Sequence, residues 1–227
     1  MHTIAQQLKT VLQQLRDLER KYQREENSVS LLAVSKTRPP EDISLAFASG
    51  QLDFGENYLQ EALSKIDQVN ESSISWHFIG PVQSNKTSDI AQHFSWLHSL
   101  DRYKIARRLS EARPGHLNAL NVCIQVNISN EASKSGCTAG EVEQLAKQID
   151  QLPGLSLRGL MAMPAPEEGL SQQRRAFREL RHLFDDLVRA GHKLDTLSMG
   201  TSNDMEAAIA EGATIVRIGT AVFGPRT

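Results

Sequence analysis

The chain has 227 residues, with 40% hydrophobic and 23% charged side chains and a formal net charge of -2 at pH 7. That balance supports a sizeable core, and the near-neutral charge leaves no electrostatic footprint for nucleic acid or an anionic membrane. No segment approaches the ~20 consecutive apolar residues of a membrane span, the N-terminus lacks the apolar run of a signal peptide, and two cysteines do not indicate a disulfide scaffold.

Ile4, Leu8, Val11, Leu12, Leu15 and Leu18 recur at helical spacing, which predicts an opening helix over residues 3–26. A β-type run over 29–34 ends at Ser35-Lys36-Thr37. Pro39-Pro40-Glu41 then opens a helix that Gly50 closes. A short strand over 52–54 runs into Gly55-Glu56-Asn57 and a helix over 58–69. Strands over 76–79 and 96–98 flank a helix over 85–93, and a helix over 101–113 stops at Pro114-Gly115. The β run over 121–128 holds Cys123 as a small buried hydrophobe, and the polar loop over 129–138 carries Cys137 as an expected exposed thiol. A helix over 139–151, a strand over 155–161 and the rigid loop Met163-Pro164-Ala165-Pro166 follow. The remaining elements are a helix over 170–190, a strand over 196–199, a helix over 202–211 and a last strand over 214–218.

Eight strand candidates therefore alternate with helices, which implies parallel pairing. The expected fold is a single (β/α)8 TIM barrel spanning residues 1–227, with an extra N-terminal helix. The same alternation allows an open doubly wound sheet. The strand count and the lack of Gly-x-Gly-x-x-Gly after the first strand favour the barrel.

The unusual polar residues fall at strand ends, and in such a barrel all these ends lie on the face where active sites form. Lys36 is one of them. Partial burial there favours a neutral, nucleophilic amine able to form an imine with an aldehyde; a lone strand-end lysine reads better as a solvated one, and it is the surrounding residues that favour the amine. Gly200-Thr201-Ser202 before a helix, with Ser202 as N-cap, and Gly219-Thr220 after the last strand make a candidate phosphate cradle in the loops after strands seven and eight. Arg217, among Ile215, Val216 and Ile218, needs a partner: Glu56, Asp204 or the nitrogen of a heterocyclic ligand. It cannot protonate that nitrogen. His77, next to Trp76 in a strand whose neighbours alternate, reads as a packed core histidine at least as readily as a site residue. No metal-ligand spacing and no Gly-x-Ser-x-Gly elbow occurs, and the arginines at 174, 175, 178 and 181 suit a solvated helix face.

At Ala33-Val34-Ser35-Lys36-Thr37, Phe54-Gly55-Glu56-Asn57-Tyr58 and His77-Phe78-Ile79-Gly80 with Gln83-Ser84-Asn85-Lys86 the chain resembles the pyridoxal phosphate homeostasis protein family. The likeness continues through Val126-Asn127-Ile128, Ser133-Lys134-Ser135-Gly136, Gly159-Leu160-Met161, Ser198-Met199-Gly200 and Val216-Arg217-Ile218-Gly219-Thr220, in order along almost the whole chain. The resemblance implies a barrel like the N-terminal domain of alanine racemase that binds pyridoxal 5'-phosphate (PLP). It implies a covalent aldimine on Lys36, Arg217 facing the pyridine nitrogen, and Ser202, Gly219 and Thr220 on the phosphate. Asn57, Met161 and Ser198 would stand nearer the ring; His77 joins the cofactor-binding candidates through its motif, and Lys134 is a candidate second contact. Thr201 stands where the family carries methionine, Val82 where leucine is commoner, and the basic tail of some members is missing.

The expectation is a cytoplasmic, monomeric PLP carrier and homeostasis factor without efficient catalysis, with PLP-dependent apo-enzymes as candidate recipients. The alternative is a fold-type III racemase or decarboxylase; a Schiff-base aldolase without PLP would leave Arg217 unexplained. Racemisation needs a base on each face of a carbanion, and only Lys36 is evident. The chain also stops just after the eighth strand, where fold-type III enzymes add a β-domain.

Overall fold

A computed structural model describes residues 3–129 and 135–225. The first helix, α1 (Ile4–Lys21), starts at a capping box in which the Thr3 hydroxyl accepts from the Gln6 N–H and the Gln6 side chain accepts from the Thr3 N–H. Its buried face is Leu8, Val11, Leu15 and Glu19, so the 3.6-residue period of the sequence is the packing stripe. Glu19 accepts from the N–H groups of Asn27 and Val29, and this ties the helix to the first strand.

From β1 (Ser30–Val34) onward strand and helix alternate: α2 (Pro40–Ala48), β2 (Asp53–Glu56), α3 (Leu59–Val69), β3 (Ser75–Phe78), α4 (Thr87–His93), β4 (Trp96–Leu100), α5 (Tyr103–Ala112) and β5 (Leu120–Gln125). Then come α6 (Val142–Ile149), β6 (Leu155–Met161), α7 (Leu170–Arg189), β7 (Thr196–Ser198), α8 (Met205–Ala210), β8 (Ile215–Ile218) and the short α9 (Thr220–Phe223). The eight strands pair in sequence order, all parallel, and β8 closes on β1 with Leu32 opposite Arg217. The expected closed barrel is present, and the open sheet is excluded. Runs such as Leu31-Leu32-Ala33 are buried throughout, as parallel strands covered by helices require.

Three local expectations change. Cys137 is buried, because its N–H donates to the Gln125 carbonyl and the Asn127 N–H donates to its own, so the loop folds back along the end of β5. The helix expected over 202–211 starts only at Met205, after the carboxylate of Asp204 has turned back on Thr201. Finally, α9 follows β8 where the sequence reading placed no further helix.

Candidate functional site

Six of the expected site residues meet in one cavity of about 500 Å³ at the C-terminal ends of the strands. Lys36, Asn57, Ser202, Arg217, Gly219 and Thr220 line it together with Val34, Ile79, Met163, Thr201, Asn203 and Ala221. A second cavity of about 270 Å³ shares Met163, Thr201, Asn203 and Arg217 with it. The first volume falls in the range of about 300–1,000 Å³ usual for a small-ligand site. The wider clefts elsewhere are surface features. One of about 630 Å³, at the N-terminal ends of β7 and β8, contains Arg24, Arg178 and Arg181, whose guanidinium groups already serve carbonyls and carboxylates.

Lys36 is half-buried at the end of β1, and the backbone on either side of it is tied down. Lys65, reaching in from α3, donates to the Ser35 carbonyl at 2.8 Å, to Glu56 at 2.8 Å and to Glu61. The Ser35 hydroxyl donates to Glu56 at 2.7 Å, and Glu61 accepts the Thr37 N–H at 2.6 Å. Thr37 has φ +63°, a left-handed conformation that a β-branched residue adopts only under constraint. Strain therefore sits beside the lysine. Burial pushes the Glu56 carboxyl above its ordinary value, against the pull of Lys65 and Ser35. Glu56 thus belongs to Lys65, and it is not the partner of Arg217.

Asn57 is placed by a close backbone approach. A Cβ at Gly80 would lie 2.1 Å from the Asn57 carbonyl oxygen, so the end of β3 can pass only as glycine.

On the opposite wall the Thr201 N–H and hydroxyl both donate to Asp204, at 2.6 and 2.8 Å. Ser202 lies in the turn this creates and is not an N-cap. The N–H groups of Ser202 and Asn203 have no acceptor among the described residues. Thr220 opens α9, whose first N–H groups lack intrahelical acceptors, and Gly219 passes close to β1, a Cβ there lying 3.2 Å from the Val34 carbonyl. Two sets of backbone donors therefore border the same cavity.

Arg217 is buried at the cavity floor. It donates through one terminal nitrogen to the Ser198 carbonyl (2.6 Å) and hydroxyl (2.8 Å), and through the other to the Ala162 carbonyl (2.9 Å). Burial pushes its guanidinium down to about 10, so it stays charged at neutral pH.

Three candidates do not line the cavity. Ser198 is fully buried beneath Arg217, and its Oγ lies 2.7 Å from His98 Nδ1. His77 lies deeper: its Nδ1 is 2.9 Å from His98 Nε2, its Nε2 is 3.1 Å from Asp53 Oδ1, and its ring stacks on Trp96. Met161 is buried in β6, and Met163, two residues on, reaches the cavity in its place. Lys134 lies outside the described residues. Sequence reasoning missed Met163, Asn203 and His98. A buried polar residue between Leu97 and Leu100 was the available signal for His98, but its partners come from other strands. Among the described residues no group of His, Cys, Asp and Glu could hold a metal ion, and no helix is long and apolar enough to cross a membrane.

The family model described as the N-terminal domain of alanine racemase matches residues 6–227. The pyridoxal phosphate homeostasis protein of Pseudomonas aeruginosa is 55% identical over 226 residues, covering 100% of this chain and 97% of that protein. The protein of the same name from Escherichia coli is 48% identical, covering 100% and 98%. Among solved structures, PipY of Synechococcus elongatus with PLP bound superposes with a TM-score of 0.85 at 32% identity, covering 98% of this chain and 100% of that one. The alanine racemase of Clostridium difficile shares the fold, with a TM-score of 0.74 at 15% identity, and this chain covers 56% of it. With a closed barrel, a lysine and an arginine in one strand-end cavity, and relatives matching over their full length, the chain belongs to the alanine racemase N-terminal domain family and, within it, to the pyridoxal phosphate homeostasis proteins.

Proposed function

We propose that this protein binds PLP in the strand-end cavity and acts in PLP homeostasis as a cytoplasmic, monomeric carrier formed by residues 1–227. The observation that carries the reading is the meeting of Lys36, Arg217 and two sets of backbone donors around one cavity. PLP needs an amine for its aldehyde, an environment for its ring nitrogen and donors for its phosphate, and these residues offer all three.

Lys36 holds the cofactor covalently: its Nζ adds to the aldehyde carbon and water leaves, giving an imine. Arg217 faces the ring nitrogen. It would donate a hydrogen bond there while keeping its own proton, so it would hold that nitrogen without protonating it. The N–H groups of Ser202, Gly219 and Thr220 take the phosphate, as loops after the last two strands of such barrels do. Asn57 borders the ring.

Efficient racemisation or decarboxylation is not part of this role. Among the described residues lining the cavity, Lys36 is the one general base, and racemisation needs one on each face. PLP-dependent apo-enzymes are the proposed recipients.

Purified protein incubated with PLP and reduced with borohydride is expected to carry one pyridoxyl group on Lys36, located by peptide mass spectrometry. Lys36→Ala should lose it. A stoichiometric adduct on another lysine in that variant would overturn the assignment, and robust turnover of amino acids would move the protein into the enzyme class.

A further inference from the structure

A chain of five polar side chains crosses the barrel interior from the cavity floor to the opposite end. It runs Arg217, Ser198, His98, His77, Asp53, with successive contacts of 2.8, 2.7, 2.9 and 3.1 Å. Such barrels ordinarily fill this space with branched apolar residues, and four of these five side chains are buried. Asp53 is the exception, its side chain 40% exposed.

The two ends determine the direction of every bond. A guanidinium has only donors, so the Ser198 hydroxyl oxygen must accept from Arg217. An ionised Asp53 has only acceptors, so His77 Nε2 carries a hydrogen to meet it, and the Ser75 hydroxyl oxygen, also 3.1 Å from Nε2, then accepts from that same N–H. Burial lowers the pKa of both imidazoles, which keeps each neutral with one N–H. His77 Nδ1 is then an acceptor, His98 Nε2 donates to it, and His98 Nδ1 is left as an acceptor. The Ser198 hydroxyl hydrogen points to His98, away from Arg217. Each donor in the chain faces an acceptor, and reversing any one bond would set two hydrogens or two lone pairs against each other.

We infer that His98 is a positioning residue for Arg217: it draws the Ser198 hydroxyl hydrogen toward itself, and His77 and Asp53 lock it in the tautomer that does so. Three of the five guanidinium N–H groups are then fixed on Ser198 and Ala162, and two remain for the cavity. The effect on the cofactor rests on the reading of Arg217 given above, whereas the bond directions do not.

Two measurements test it. In ligand-free protein at pH 7, side-chain ¹⁵N spectra should show His77 and His98 both neutral and both protonated at Nε2. A proton on His98 Nδ1, or an imidazolium at either position, would overturn the inference. The second measurement compares two replacements of His98. Asparagine puts an acceptor oxygen near the Nδ1 position and so keeps the bond from Ser198; glutamine reaches His77 and loses it. PLP dissociation constants from equilibrium dialysis should rise about tenfold for His98→Gln, as the loss of a hydrogen bond shared with a charged group implies, and stay within about threefold for His98→Asn. Equal weakening in the two variants would mean a packing role alone, and no weakening in either would also refute positioning. Wild-type protein that fails to take up PLP would sink the functional reading, while the ¹⁵N tautomers would still decide the chain of bonds.

Discussion

Lys65 of α3 lies 2.8 Å from Glu56 at the end of β2, and both side chains are almost wholly excluded from water. The pair sits directly beneath the backbone of Ser35, one residue from Lys36, so a helix outside the barrel sets the position of the strand-end lysine. Removing one partner leaves the other charge buried. Lys65→Met should cost about 3–5 kcal/mol in urea unfolding, and the double variant Lys65→Met with Glu56→Gln should recover much of it. A loss below 1 kcal/mol in the single variant would show that the pair is dispensable.

The buried histidines should make stability depend on pH. Unfolded, each imidazole takes up a proton near its ordinary value of about 6.5; folded, burial holds His77 and His98 neutral to lower pH. The unfolded chain therefore binds more protons below about 6.5. The stabilisation from neutral burial is complete above that value and is lost as pH falls toward the folded values. Each histidine adds a slope approaching ~1.4 kcal/mol per pH unit, so unfolding free energies at pH 7, 6 and 5 should decline less steeply in His98→Asn than in wild type. Parallel profiles would count against neutral burial of His98.

Gly80→Ala should affect the cavity directly. The added methyl would meet the Asn57 carbonyl at 2.1 Å, and relief requires the Asn57 backbone to move. PLP affinity should fall by about tenfold or more, with about 1–3 kcal/mol of stability lost to overpacking. Gly140→Ala, where a Cβ meets nothing within 4 Å, is the matched control and should leave binding unchanged.

Both thiols should be inert in the native protein. Burial pushes Cys123 and Cys137 up to about 12, from an ordinary value of 9.0, which lowers the thiolate fraction at neutral pH by a factor on the order of 10³. A disulfide reagent should therefore label neither thiol rapidly in buffer and both in denaturant. Rapid labelling of Cys137 without denaturant would contradict the folded-back loop.

Periodicity and punctuation marked eight parallel strands, whose number favoured a barrel, and the pairing of β8 with β1 excluded the open sheet. Two-sided apolar runs ending in Ser35-Lys36-Thr37, Gly55-Glu56-Asn57 and Gly219-Thr220 read as parallel strands with polar tips, and the fold brings those tips together because all such ends share one face. What the tertiary structure alone decided is which polar residues face the cavity and which run beneath it. Ser198 and His77 carry motif positions as strong as that of Asn57, yet both lie under the floor. Their partners lie far away in the chain: Ser198 meets His98 100 residues off, and His98 meets His77 across 21. Ser202 likewise looks like a helix cap until Asp204 claims the turn. A strand's period of two tells inward from outward, but not how deep a side chain sits along the barrel axis. That depth depends on the tilt and stagger of neighbouring strands, which local sequence does not encode.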